Sequence, residues 1–342
     1  MEGAATVNPL DLLVEYGKRV DPVMEKYLLS NAHPDFAEAV LYPIKMGGKR
    51  VRPALTLLSA LAVGGNAEEA YPAAAGVELA HNYSLILDDI IDHSEVRRGM
   101  PTVWKKYGLS TAILVAVHYR ESISEALNDT RDPEAFHEEM ARVIKLLTDG
   151  ERLDILFEQA GREDEPYVLS KRYRKLKLEE YLEMVEKKTG ALIEASCFFG
   201  GLSVEGVDDE ALTALRSYGK NVGIAFQISD DIIDIFGEEG KTGKKVGGDI
   251  KEHKLGNIVV LLALDELGED SVLSRVLRKN EVSWEEVSAA INEIKKTNAY
   301  RRADSLRKSY VDAALKALEK LPDSPYRRML ESLAIFIERR EF

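Results

Sequence analysis

Apolar residues recur three and four positions apart through most long segments of this chain, while alternating runs rich in β-branched side chains are scarce. That period gathers side chains on one face of an α-helix, so an all-α fold is expected. The spacing predicts helices over Pro53–Val63, Ala67–Asp92, Ser110–Leu127, Pro133–Gln159, Leu178–Phe199, Asp208–Phe236 and Gly256–Leu267, with further helices from Trp284 onward. Turn chemistry separates them at V-G-G-N near 63–66, at N-D-T-R-D-P near 128–133, and at G-E-E-G-K-T-G-K-K-V-G-G-D from Gly237. None of these is long enough for a domain linker. A chain of 342 residues with 45% apolar content can bury a large core, and a single domain over residues 1–342 is expected.

The formal charge of −13 argues against a broad grip on nucleic acid, so any phosphate binding should be local. No apolar run is long enough to span a bilayer, and M-E-G-A-A-T-V-N-P-L-D at the start lacks the basic region and apolar core of a secretory leader. The single cysteine, Cys197, excludes an intrachain disulfide, reads as a core residue and suits a reducing compartment. A cytoplasmic location is expected on these grounds.

One element occurs twice: L-D-D-I-I-D at 87–92 returns as S-D-D-I-I-D at 229–234, each at the end of a long predicted helix. On a helix Asp88 and Asp92 share a face, with Asp89 about 100° around from Asp88. A single such motif is most often a solvated cluster, since like charges four apart cost only about 0.2–0.5 kcal/mol on an exposed face. Two matching motifs change that balance. In a partly dehydrated cleft, carboxylates ~4 Å apart repel by roughly 4 kcal/mol, which calls for cations. Carboxylate oxygens select hard ions, chiefly Mg²⁺, which keeps waters and bridges one or two carboxylates to substrate phosphates. A diphosphate ligand is thereby implied. The stretch from Asp88 to Gly99 is no EF-hand loop, because isoleucines stand where a calcium loop needs oxygen ligands and turn residues.

Basic residues stand where a diphosphate needs them. M-G-G-K-R-V-R-P at 46–53 combines two glycines with Pro53 at a helix start, leaving Lys49, Arg50 and Arg52 near that terminus. By itself it reads as a solvated basic turn. Arg97 and Arg98, followed by Gly99, form a second cluster just beyond the first aspartates. The segment from Gly237 reads equally as a surface loop or as one whose lysines and glycines close over an anion. A lone histidine such as His81 is more often a satisfied core residue, but it lies seven positions, about two turns, before Asp88 and near the same face.

Taken in order, G-G-K-R-V-R-P, H-N-Y-S-L-I-L-D-D-I-I-D with R-R-G-M-P-T, K-T-G-A-L at 188–192 and F-Q-I-S-D-D-I-I-D from 226 resemble the trans-prenyl diphosphate synthases, most of all the archaeal-type geranylgeranyl diphosphate synthases. The resemblance covers nearly the whole chain. It implies an antiparallel helical bundle around a deep central cavity, with the aspartate motifs facing each other at its mouth, and a homodimer. It implies a reaction in which isopentenyl diphosphate is added to an allylic diphosphate (dimethylallyl, geranyl or farnesyl). It also implies Mg²⁺ as cofactor, about three ions with diphosphate bound, with Mn²⁺ able to substitute.

Carried over by position, the resemblance implies metal ligation by Asp88, Asp89, Asp92, Asp230, Asp231 and Asp234, with Asp89 in support of its neighbours. Lys49, Arg52, His81 and Arg98 match the isopentenyl diphosphate site. Arg97, Lys188, Thr189, Gln227, Lys244 and Lys254 match the allylic side, and Lys188, Thr189, Gln227, Asp88, Asp89, Asp92 and Asp230 form the catalytic set. Outside that resemblance Thr189 and Gln227 are ordinary polar helix residues. Tyr83, about 7.5 Å below Asp88 along the helix axis, stands as pocket floor, with Ser84 beside it and the small Ala80 and Gly76 beneath. In the resembling family a lone aromatic followed by Ser goes with the twenty-carbon product.

Two departures from that family occur. K-E-H-K-L-G-N at 251–257 has His253 where Gly commonly precedes the lysine, and Gly256 where Thr commonly follows two residues after it. V-A-V-H-Y-R at 115–120 has Ala116 and Val117 where many relatives carry Gly-Asp. Altered local packing is expected at both. A terpene cyclase would not need the second diphosphate site, and a noncatalytic partner subunit of a heteromeric synthase would be expected to carry degraded aspartate motifs.

Overall fold

The helix expected from Ala67 begins there because Asn66 caps it: its side chain accepts from Glu69 N at 3.1 Å, and Glu69 reaches back to the Asn66 amide. In the computed structural model, which describes residues 9–238 and 245–339, it runs 25 residues to Ile91. The chain order is α1 (Pro9–Lys18), α2 (Asp21–Leu29), α3 (Ala37–Lys45), α4 (Val51–Ala62), α5 (Ala67–Ile91), the strands β1 (Val96–Arg97) and β2 (Met100–Pro101), α6 (Val103–Tyr107), α7 (Leu109–Asn128), α8 (Pro133–Phe157), α9 (Pro166–Lys171) and α10 (Leu178–Val185). There follow a π turn (Glu186–Gly190), α11 (Ala191–Leu202), α12 (Asp209–Phe236), α13 (Gly248–Lys251), α14 (Ile258–Leu267), α15 (Val272–Leu277), α16 (Trp284–Ile294), α17 (Ala299–Leu318) and α18 (Pro325–Arg339). The all-α expectation holds. The single helix expected over 178–199 is instead interrupted by the π turn, and the α14 start moves to Ile258 because the Asn257 side chain accepts from the amides of Val259 and Val260.

Contacts divide the chain into two units. The first takes the described parts of Met1–Lys145 with Leu192–Gly219 and Leu315–Leu333. Here α5 packs between α4 and α7, joined to α4 by the short turn at 63–66 that makes them antiparallel neighbours. Small residues make this packing close: Ala73, Ala74, Ala75 and Gly76 of α5 are buried, and a Cβ on Gly76 would lie 3.1 Å from Leu127 of α7. At Gly200 a Cβ would meet the Thr56 carbonyl oxygen at 2.2 Å, so only glycine allows α11 so near α4.

The second unit takes Leu146–Ala191 and the described parts of Lys220–Ala314 and Ala334–Phe342. Its core is a stripe of Ile224, Ile228, Ile232 and Ile235 on α12 against Tyr181, Met184, Val185 and the buried Ile258–Ala263 of α14. Spacings of three and four residues bring these isoleucines onto one helix face, which explains the first isoleucine of the second aspartate repeat as core. Among the described residues no helix is long and apolar enough to cross a membrane.

Candidate active site

In the first unit the aspartates end α5. Asp88 and Asp92 are partly exposed on one face, and Asp92 is the C-cap, its amide donating to the Asp88 carbonyl at 2.8 Å. Asp89 points inward, 2% exposed, and is gripped by Arg97: Nε donates to both carboxylate oxygens at 3.0 Å and Nη2 to Oδ1 at 2.8 Å. Burial pushes the Asp89 carboxyl up, and the Arg97 guanidinium works against that shift. Arg97 is held by a hairpin in which it pairs with Met100. Arg98 and Gly99 occupy the two turn positions with φ of 54° and 74°, the backbone of a type I′ turn. Thr102 Oγ1 and Trp104 Nε1 both donate to the Ser94 carbonyl, at 2.7 and 2.8 Å, and fix the approach to that hairpin.

The same unit holds the first basic cluster. Lys49 is exposed in the turn before α4, Arg52 is partly exposed in the first turn of α4, and Arg98 Nη1 donates to the Gly47 carbonyl. His81 is surrounded by arginines. Desolvation first, then Arg52, Arg98, Arg97 and Arg50, hold its pKa well below the ordinary value, so it offers a neutral imidazole at pH 7. Tyr83 and Ser84 are partly exposed one turn above fully buried Ala80. Ser84 Oγ donates back to the His81 carbonyl at 2.8 Å.

In the second unit, the second repeat ends α12 in different company. Asp231 is buried, with Oδ1 accepting from Gln227 Nε2 at 2.8 Å and Oδ2 from Tyr181 OH at 2.7 Å and the Ile258 amide at 2.9 Å. Its donors are all neutral, and burial together with Asp249 drives its carboxyl well above the usual range. Asp234 accepts from the amides of Gly248 and Asp249 at 3.0 and 3.1 Å, and burial with Asp249 raises it to about 7. Thr189 Oγ1 donates to Gln227 Oε1 at 2.9 Å, linking the π turn to α12. Lys188 Nζ lies 2.6 Å from Asp154 and 2.7 Å from Glu151, and Lys254 Nζ 3.8 Å from the same Asp154 oxygen and 3.1 Å from Glu252. Burial pushes the Asp154 carboxyl up, but Lys188 and Lys254 outweigh it and bring it to about 2.

Thus the structure brings Gln227, Thr189 and Asp231 into one chain of hydrogen bonds, and joins Lys188 to Lys254 through Asp154. Sequence reasoning missed Asp154, Glu151, Tyr181, Asp249 and Asn257, which touch these groups yet stand in no motif it read. Lys244 lies outside the described residues. His253 takes φ of 63°, the left-handed conformation that glycine adopts most easily, and its carbonyl accepts from the Gln159 amide at 3.0 Å. Val117 is 55% exposed on α7 and Ala116 is buried.

Among the described residues, no three carboxylate, imidazole or thiol groups form a cluster able to hold a metal by themselves. The donor set nevertheless suits Mg²⁺ shared with a phosphate. Asp88 and Asp92 offer hard oxygens on one partly exposed helix face, and Asp230 is likewise partly exposed.

The polyprenyl synthetase family matches residues 33–294. The geranylgeranyl diphosphate synthase of Methanosarcina mazei is 33% identical over 343 residues, 97% of this chain and 98% of that protein. The geranylfarnesyl diphosphate synthase of Aeropyrum pernix is 35% identical over 313 residues, covering 88% of this chain and 93% of the relative. The crystal structure of geranylgeranyl pyrophosphate synthetase from Pyrococcus horikoshii superposes with a TM-score of 0.86 at 34% identity, over 97% of this chain and 98% of that one. With the isoprenoid-synthase-type helical fold and both aspartate motifs in place, the chain belongs to the polyprenyl synthetase family and is a prenyltransferase.

Proposed function

We propose that this enzyme condenses isopentenyl diphosphate head-to-tail with allylic diphosphates, giving mainly geranylgeranyl diphosphate with some farnesyl diphosphate. The observation that carries this reading is the presence, in one unit, of an aspartate face (Asp88, Asp92) and a separate set of donors, Lys49, Arg52 and Arg98 with neutral His81 among the arginines. A reaction joining two diphosphates needs both. The allylic C–O bond breaks and diphosphate leaves; the double bond of isopentenyl diphosphate forms the new C–C bond, and a proton is lost to regenerate an alkene. Mg²⁺, when bound, neutralises the departing diphosphate and orients it.

The chain's own residues supply the rest. Asp88 and Asp92 in the first unit, and Asp230 and Asp234 in the second, would hold Mg²⁺ when it is bound. Asp89 and Asp231 support these ligands: Asp89 through Arg97, Asp231 through Tyr181, Gln227 and the Ile258 amide. Guanidinium forks of Arg52 and Arg98 bind the isopentenyl diphosphate oxygens beside Lys49 and neutral His81. Arg97 in the first unit matches the family's allylic-diphosphate positions, as do Lys188, Thr189, Gln227, Lys244 and Lys254 in the second. Tyr83 closes the tail pocket. Two turns below it Leu127 occupies the space beside Gly76, so a longer tail would reach Leu127 next. A second copy of the chain would cover Leu109, Ile113, Leu114 and Val117, exposed on one face of α7.

The test is incubation of purified enzyme with isopentenyl diphosphate and each allylic starter, with chromatography of the products. Geranylgeranyl diphosphate is expected with Mg²⁺ or Mn²⁺ and none in excess chelator, and the Tyr83→Ala enzyme should yield longer chains. Full activity in chelator, a cyclised hydrocarbon, or no turnover of any starter would overturn the reading.

A further inference from the structure

Arg50 stands between Lys49 and Arg52 and looks in sequence like a third phosphate-facing cation. The structure turns it inward. It is 5% exposed, and its guanidinium is committed to protein acceptors: Nε donates to Asp21 Oδ1 at 2.8 Å, Nη1 to Glu78 Oε1 at 3.2 Å and to the Gly47 carbonyl at 3.3 Å, and Nη2 to the Ile44 carbonyl at 2.7 Å. These acceptors lie at the start of α2, near the end of α3, in the turn before α4 and in the middle of α5, so one fork ties four segments. The Arg50 backbone takes φ of 50°, which L-residues seldom adopt, and α1 presses on it: a Cβ on Gly17 would lie 2.3 Å from the Arg50 carbonyl oxygen.

The Gly47 carbonyl accepts from Arg98 as well as from Arg50. Next to it, Gly48 leaves room for the Arg98 guanidinium, since a Cβ there would lie 2.8 Å from Arg98 Nη1. Glu78, also buried, is the counter-charge one turn before His81, and Asn82 Nδ2 donates to its carbonyl at 2.8 Å. We propose that Arg50, paired with Glu78, is a positioning residue for isopentenyl diphosphate. It fixes the Gly47–Lys49 turn and, through the shared carbonyl, the place of Arg98. Lysine could not do this, because its donors radiate from one atom and cannot span acceptors on four segments. The proposal rests on the reading that Lys49, Arg52, His81 and Arg98 take that substrate.

The experiment is steady-state kinetics on the full chain for Arg50→Lys, for the double variant Arg50→Met/Glu78→Gln, and for Arg52→Lys. The double variant removes both members of the buried pair and leaves only the more exposed Asp21 without the Arg50 guanidinium, and its fold is checked by thermal unfolding. Both Arg50 variants should raise the KM for isopentenyl diphosphate about tenfold, the loss of roughly one charge-assisted hydrogen bond. The kcat and the KM for the allylic diphosphate should stay nearly unchanged. Folded Arg50 variants in which neither KM moves, or in which both KM values and kcat move together, overturn the proposal. If Arg52→Lys raises the isopentenyl diphosphate KM while the Arg50 variants do not, the positioning role alone fails; if Arg52→Lys moves neither KM, the substrate reading beneath it fails.

Discussion

The two D-D-I-I-D repeats carry the same five letters and receive different chemistry. In the first, the middle aspartate faces a cation, Arg97, in a doubly hydrogen-bonded pair. In the second, the middle aspartate faces a phenol, an amide side chain and a backbone amide, and its carboxyl is driven well above the usual range. The last aspartates differ likewise: Asp92 caps its own helix, whereas Asp234 takes two amides from the start of α13. Identical letters near two helix ends therefore do different work, because charge state follows from the donors each unit supplies.

The largest expected effect asks whether the outer aspartates, unlike the middle ones, are equivalent. Asp88→Ala and Asp230→Ala should each cut kcat by about a thousandfold, the equivalent of roughly 4 kcal/mol of lost charge neutralisation. Activity of either variant within tenfold of the parent would remove that repeat from the metal reading.

A carboxylate held by cations should also show its pairing in stability. Glu139 is the clearest such case: burial pushes its carboxyl up, but Arg142 and Arg216 outweigh it and bring it to about 2. A depressed carboxyl stabilises the fold above its unfolded value near 4.5 and loses that contribution as pH falls toward 2. Glu139→Gln should cost roughly 3 kcal/mol at pH 7 in urea unfolding, with the gap to the parent closing between pH 4.5 and 2. A gap that stays constant with pH would point to packing instead.

The middle aspartates give a sharper contrast of smaller size. Asp89→Asn removes the charge that Arg97 grips and should cost about 1.5–3 kcal/mol, whereas Asp231→Asn removes no ion pair and only sets an amide N–H against one of three neutral donors, which should cost about 1 kcal/mol. Equal costs in paired urea titrations would mean that the two environments are not distinct. Smallest of all, His253→Gly should gain about 0.5–1 kcal/mol in the second unit by relieving the left-handed backbone before Lys254. Loss of stability there would show that the imidazole itself is needed.

Most of the fold was readable in the sequence because helical period survives in a single chain. The ends of α5 and α12, where the aspartates cluster, were found within a residue or two. The partners were not readable. Lys188 and Asp154 are 34 positions apart, and Tyr181 and Asp231 are 50 apart, so nothing local marks them as neighbours. Arg50 shows the opposite limit: three basic residues within four positions look alike on paper, and only burial separates the inward clamp from the outward ligands. The helices before Pro53 were also missed.

The π turn at Glu186–Gly190 has a consequence for heredity as much as for shape. A π turn holds one residue more than the α-helix would at the same rise, shifting the angular phase of everything beyond it by about 100°. Before the turn Tyr181, Met184 and Val185 are buried, and within it Thr189 donates to Gln227. Loss of one codon here would turn the π turn into ordinary α-helix and leave the residues beyond it on the faces they now occupy. What such a deletion would remove is the local widening in which Thr189 is set against Gln227 and Lys188 against Asp154.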